Sequence, residues 1–140
     1  MNYSITQNGK PLSRDKYIID EKTKTFSSSE NELVLDFGGE YGYTFKTGWY
    51  CTFKTGEDCT FDTGWDCTFN TGWYCTFKTG EDCTFNTGGN CTFKTGGYCV
   101  VVRRDVYGVI EIPEGNAIKL NGYGVKGFTY VKENKSVKSN

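Results

Sequence analysis

The sequence predicts an all-β chain folded as a parallel β-solenoid (β-helix) of octapeptide repeats, two octads to a coil, with β-rich caps at both ends. Three observations predict it. One phrase recurs seven times from Tyr43 to Tyr98 (YTFKTGWY, CTFKTGED, CTFDTGWD, CTFNTGWY, CTFKTGED, CTFNTGGN, CTFKTGGY) with a period of eight and no slip. A unit this short can bury its apolar face only by stacking on its neighbours. Within the unit, residue types alternate as they do along a strand. The 140 residues also hold 18 Gly but only 2 Pro, as many corners and continuous strands require.

In the octad from Cys51 to Asp58, Cys51-Thr52-Phe53-Lys54-Thr55 reads as a short strand and Gly56-Glu57-Asp58 as a tight corner. Alternation puts Cys51, Phe53 and Thr55 on one face and Thr52 and Lys54 on the other. Constancy marks the buried face. Phe45, Phe53, Phe61, Phe69, Phe77, Phe85 and Phe93 never vary, whereas the next position wanders through Lys46, Lys54, Asp62, Asn70, Lys78, Asn86 and Lys94. The glycine column from Gly48 to Gly96 is expected to supply a positive φ at each corner. The two positions after each glycine are free, so surface identity is written there. Trp49, Tyr50, Trp65, Trp73, Tyr74 and Tyr98 are the candidate ridge for a sugar or protein; the alternative is that these rings cover the corners and shield backbone from water.

Two octads per coil give two facing parallel sheets with Phe and Cys between them. Three would give a triangular coil, and the repeat of TGWYCTFKTGEDCTF at residues 47–61 and 71–85 is compatible with that. One Phe per side, however, struggles to fill a triangle to a packing density of about 0.75, which favours two. A third arrangement intertwines three chains, as in fibrous phage parts, and would make the protein a viral fibre component.

Cys51, Cys59, Cys67, Cys75, Cys83, Cys91 and Cys99 all lie on the lattice, and an odd number cannot pair completely within one chain. Stacking would hold neighbouring Cys of a column about 4.8 Å apart, beyond the roughly 3.5 to 4.5 Å that a disulfide wants between Cβ atoms. A reduced, buried thiol ladder of small hydrophobes is expected, favouring an intracellular, reducing compartment such as cytoplasm, host cytoplasm or a virion assembled there. The first residues show no apolar signal segment, and no run is long enough to span a membrane.

Residues 1–32 read as an N-terminal β cap with an Asn-Gly turn at Asn8-Gly9 and a second hairpin joining the Lys16–Asp20 and Thr23–Phe26 stretches. The solenoid spans residues 33–102. Its first turn is degenerate, with Leu35 and Tyr43 in the Cys slot and Phe37 in the Phe slot. Val101 takes the Phe slot at the far end, and Arg103-Arg104-Asp105 ends the lattice. Residues 103–131 form a C-terminal β cap, and residues 132–140 a polar, disordered tail. Caps are needed because an open solenoid presents unpaired strand edges.

The chain has no His, which removes the commonest general base and zinc ligand. The Cys lie eight apart, unlike the close pairs of structural zinc sites. The acidic residues Glu57-Asp58, Asp62, Asp66 and Glu81-Asp82 lack the pattern of calcium-binding β-rolls. No phosphate-loop motif occurs. The sequence therefore predicts no enzyme, no cofactor and no metal. A net charge of −1 implies no nucleic-acid or membrane field. The expected partner is another protein or the chain itself, through solenoid edges or faces. A ligand-binding alternative is ice, on the outward column Thr52, Thr60, Thr68, Thr76, Thr84 and Thr92, although its neighbouring column carries Lys and Asp.

The octads CTFKTG, CTFDTG and CTFNTG resemble the CTFxTG octapeptide runs of uncharacterised proteins from large DNA viruses and some bacteria, in which a Leu-Val-Leu-Asp-Phe lead-in and an Arg-Arg-Asp exit also bracket the array. The likeness covers Leu33 to Val109. It implies a short-period β-solenoid, related in logic to pentapeptide-repeat proteins although their A-[DN]-L-x-x spacing is absent, and it implies no activity.

Overall fold

The computed structural model describes residues 3–131. The tail expected to be disordered lies outside them. The Thr-Phe-x core of each octad forms a short strand: β6 (Thr44–Lys46), β7 (Thr52–Lys54), β8 (Thr60–Asp62), β9 (Thr68–Asn70), β10 (Thr76–Lys78), β11 (Thr84–Thr87) and β12 (Thr92–Lys94). Strands two octads apart pair in parallel: Phe61 lies beside Phe77, and Phe69 beside Phe85. Each coil is therefore sixteen residues, closes within a single chain, and alternates between two facing sheets.

One sheet, here sheet A, carries the odd strands from β5 (Leu33–Asp36) through β13 (Cys99–Arg103) and ends in β14 (Gly108–Ile112). At its other end lie β1 (Ser4–Gln7) and β2 (Lys10–Pro11), a hairpin whose turn has Asn8 and Gly9 both at positive φ. Sheet B runs from β3 (Ile18–Asp20) and β4 (Thr25–Ser27) through the even octad strands to β15 (Ile118–Leu120) and β16 (Phe128–Tyr130). Both sheets are 8-stranded. At the ends β1, β14 and β15 join the array by antiparallel pairing and β4 pairs in parallel with β6, while β2, β3 and β16 each extend an edge by a further antiparallel pairing.

The phenylalanines fill the space between the sheets. Within sheet B, Phe45, Phe61, Phe77 and Phe93 stack with centroids 4.9 to 5.1 Å apart and planes within 7°. Phe53, Phe69 and Phe85 do the same in sheet A, at 4.8 to 4.9 Å. Between sheets the rings meet edge to face at 4.8 to 5.5 Å. Stacked within a sheet and edge-on across it, each ring uses both geometries that its quadrupole favours.

Phe69 touches four other rings in this way. Phe69→Ala should cost about 3 to 5 kcal/mol because rigid neighbours leave the void unfilled. Lys54→Asn, on the exposed face, should stay within about 0.5 kcal/mol. Urea denaturation midpoints check the ranking, and a reversed order would invert inside and outside.

Two details of the lattice differ from expectation. Leu35 pairs with Phe53 and so occupies the Phe slot, with Leu33 two residues earlier on the same inward face. Phe37 lies beyond the strand and is buried against Phe45 and Tyr43. Leu35 and Phe45 stand ten residues apart instead of eight, because the intervening corner carries extra residues around Gly38-Gly39. An eightfold count across that corner therefore misplaces the register. At the other end the lattice continues through Arg103, which pairs with Thr87 and is buried in the Thr slot.

The glycine column does not supply the positive φ. That conformation belongs to the residue two positions later: Tyr50, Asp58, Asp66, Tyr74, Asp82, Asn90 and Tyr98 have φ of 58 to 62°. The glycines are required by close approach. A Cβ at Gly56 would lie 2.5 Å from the Gly39 carbonyl oxygen, and one at Gly72 would lie 3.0 Å from the Glu57 amide nitrogen. Stacked corners touch backbone to backbone.

Candidate functional site

Successive corners fall on opposite edges, so the six candidate surface aromatics do not form one ridge. Trp49, Tyr50, Trp65 and Tyr98 share one edge; Trp73 and Tyr74 lie on the other. Trp49 and Trp65 stack at 5.2 Å with planes 10° apart, and Tyr50 meets both edge-on at 5.2 Å. Hydrogen bonding to Asp66, reinforced by its charge, raises the Tyr50 phenol above its ordinary range. The Trp49 amide donates to the Asn31 side-chain oxygen at 2.9 Å, which fixes the base of the stack.

Stacking spends the ring faces on one another. What remains for solvent is the indole rim, with Trp65 41% exposed, and the one free face of Trp65, which looks toward the next corner on that edge, Glu81-Asp82. Tyr98 lies beyond that acidic corner, 88% exposed and apart from the cluster. On the opposite edge the Trp73 ring lies over Gly88, where a Cβ would come within 2.7 Å of it, and Tyr123 of the cap packs on it at 5.4 Å. Trp73 holds the C-terminal cap in place. Tyr74 beside it is exposed.

The outward threonines are split by the same parity. Sheet A carries Thr52, Thr68 and Thr84 beside Lys54, Asn70 and Asn86, while sheet B carries Thr44, Thr60, Thr76 and Thr92 beside Lys46, Asp62, Lys78 and Lys94. Sheet A is thus the nearly uncharged face. A cleft of about 660 Å³ near the N-terminal end is lined by residues that include Asp15, Lys16, Tyr17, Glu30 and Lys46, a wall of mixed charge.

All seven cysteines are free and buried. They run in two columns, one along each edge, and they do more than fill space. Each of the backbone amides of Cys51, Cys59, Cys67, Cys75 and Cys83 donates to the sulfur of the next Cys in its column at 3.3 to 3.4 Å. The thiols in turn donate to corner carbonyls, as Cys99 does to Gly80 at 3.4 Å. The buried thiol thereby satisfies backbone groups that the corner takes out of the sheet ladder, which Val or Ala could not do. Hydrogen bonding to Cys75, and then burial, push the Cys59 thiol well above its ordinary value. The inward threonines play a similar part: Thr55, Thr63, Thr71, Thr79, Thr87 and Thr95 donate to the carbonyl of the following glycine at 2.9 to 3.4 Å.

Sequence reasoning missed Arg103. Its guanidinium is fully buried and donates to the carbonyls of Val125 at 2.8 Å and of Asn121 and Gly122 at 3.0 Å each, and to both carboxylate oxygens of Asp105. The signal was present: Arg103 stands eight residues after Thr95, so its phase points inward. Burial by itself would raise the Asp105 carboxyl, but the hydrogen bonds from Arg103 and the Gly124 amide outweigh it and hold the group below its ordinary value.

Among the described residues no group of three or more His, Cys, Asp or Glu is placed to hold a metal ion, and no helix is long and apolar enough to cross a membrane. In comparisons with family models, with curated proteins and with solved structures, nothing matches this chain.

Proposed function

We propose that the protein is a non-enzymatic scaffold, a rigid spacer whose length is set by the number of octads and whose contacts are made at corners and ends. One observation carries this reading: the phenylalanine columns run without a break from Phe26 and Phe45 to Phe93, every ring at most 1% exposed, so that successive coils are locked at one spacing. A β-solenoid fits such a role because its shape is quasi-one-dimensional and each repeat adds a fixed increment.

Inserting three further coils, each a copy of residues 67–82, should lengthen the particle by about 14 Å at the strand spacing of about 4.8 Å per coil. Small-angle scattering reads this as an increase in maximum dimension at constant cross-section. A chain that thickens, or whose dimension does not grow, is no spacer.

A further inference from the structure

The two ends of the solenoid are finished differently. At the N-terminal end sheet A stops at β2, which is two residues long and contains Pro11, a residue with no amide hydrogen to offer. Tyr3 stacked on Phe37 at 4.9 Å and Tyr17 stacked on Phe26 at 5.5 Å close the core there, and the Arg14 guanidinium lies 4.7 Å over the Tyr17 ring. These are the usual means of blunting an edge.

The C-terminal end has none of them. Strand β14, Gly-Val-Ile-Glu-Ile, pairs with β13 over all five of its residues without a bulge, and it holds no Pro, Lys or Arg. Among the described residues no strand lies outside β14 or β16. The Val100 amide donates to the Cys83 carbonyl, toward β11. By alternation Val101 and its partner Ile110 bond to each other, and Val109 and Glu111 turn their N–H and C=O groups to the open side. The inward side chains of this last layer are poorly covered. Ile110 and Phe128 are only half-buried, and Tyr130, paired with the fully buried Ile118, is 60% exposed.

Strand directions also fit. The two sheets of a flat coil run oppositely; β14 opposes β13, and β16 follows β12, so β14 and β16 run the same way. A twofold axis normal to the sheets sets both against their own copies in antiparallel pairs at once. Centred on Ile110, that pairing places Ile110 against Ile110 and Glu111 against Val109, so no carboxylate faces another.

We infer that the C-terminal end is a self-association surface, on which a second copy of this chain adds β14 to β14 and β16 to β16. At the N-terminal end sheet B also stops at an open strand, the three-residue β3, but sheet A stops at the two-residue β2 with Pro11. That end therefore does not offer two full edges at once, so association closes at two chains and does not run on into a filament. The inference draws its purpose from the scaffold reading but not its geometry; a monomer that still lengthens with added coils would sink this inference alone.

Light scattering on the full chain at micromolar concentration should give twice the chain mass of 15.8 kDa, with the Val109 and Glu111 amides protected from hydrogen exchange. Val109→Pro removes only an outward amide and should return the single-chain mass with near-UV dichroism unchanged. A single-chain or three-chain mass for the native protein, or a doubled mass with those two amides exchanging freely, overturns the inference. So does a Val109→Pro chain that folds and stays dimeric. Should that variant not fold, hydrogen exchange on the native chain decides.

Discussion

Removing eight residues should harm this protein less than removing one. Deletion of the octad from Cys59 to Asp66 should leave a folded chain with a cooperative transition, because every octad makes the same contacts with the octads one and two positions away. The C-terminal cap then turns half a revolution about the solenoid axis and meets the same kinds of neighbour, and Trp49 finds Trp73 in place of Trp65. Deletion of Thr60 alone leaves Cys59 and Thr63 both needing to face inward with the wrong number of residues between them. Either Phe61 turns to water and Asp62 inward, or a flanking corner is pulled open. Phe61 stacks between Phe45 and Phe77, so its column is cut. The expected loss is at least the roughly 3 to 5 kcal/mol of an emptied aromatic site. Urea unfolding with near-UV dichroism compares the two; a single-residue deletion that proved the milder would refute the octad as the unit of structure.

Arg103→Leu should be comparably severe. Removing one partner of a buried ion pair costs about 3 to 5 kcal/mol. The carbonyls of Asn121, Gly122 and Val125 also lose a donor. Those of Asn121 and Gly122 keep the amides of Asn90 and Val125, so the added cost, about 1 to 3 kcal/mol for a buried group left unpaired, falls on the Val125 carbonyl. The loop from Asn121 to Gly127 should detach and expose Trp73, which fluorescence reports. The sign of the pH dependence follows from Asp105. Its folded pKa is depressed, so its contribution is complete above the ordinary value of 3.8 and is lost as pH falls below it. In Arg103→Leu the same carboxylate is desolvated and unpaired and gains from protonation. The gap in stability between native and variant chains should therefore narrow between pH 7 and pH 3; a constant gap would mean that Arg103 acts through packing alone.

Much of the fold is legible in the octad. The invariant Phe and Cys, the drifting Lys, Asp and Asn, and the difficulty of filling a triangle together give the inward face and the sixteen-residue coil. The role of the glycines is not legible in the octad, because a glycine answers two needs, a positive φ and the absence of a Cβ. Only the stacked neighbour, Gly39 against Gly56 or Trp73 against Gly88, shows which need applies. Asp and Asn tolerate the left-handed region better than most residues, so Asp58, Asp66, Asp82 and Asn90 held a clue that Tyr50 and Tyr74 obscured. Composition alone groups the aromatic corners together, whereas the parity of two octads per coil already divides Trp49 and Trp65 from Trp73. Register across Gly38-Gly39 was not legible, since a lengthened corner leaves no mark on the strands it joins.

The left-handed residue at each corner bears on how the array melts. Placing a non-glycine residue there costs about 1 to 2 kcal/mol, and Tyr50, Asp58, Asp66, Tyr74, Asp82, Asn90 and Tyr98 all sit there. A lone coil is thus uphill, and only contact with the coil above and below makes it worthwhile. In a one-dimensional array such a balance penalises every boundary between ordered and disordered segments. The chain should nucleate slowly, then zip, and lose its order in a single step along its whole length, with no population of half-unwound rods.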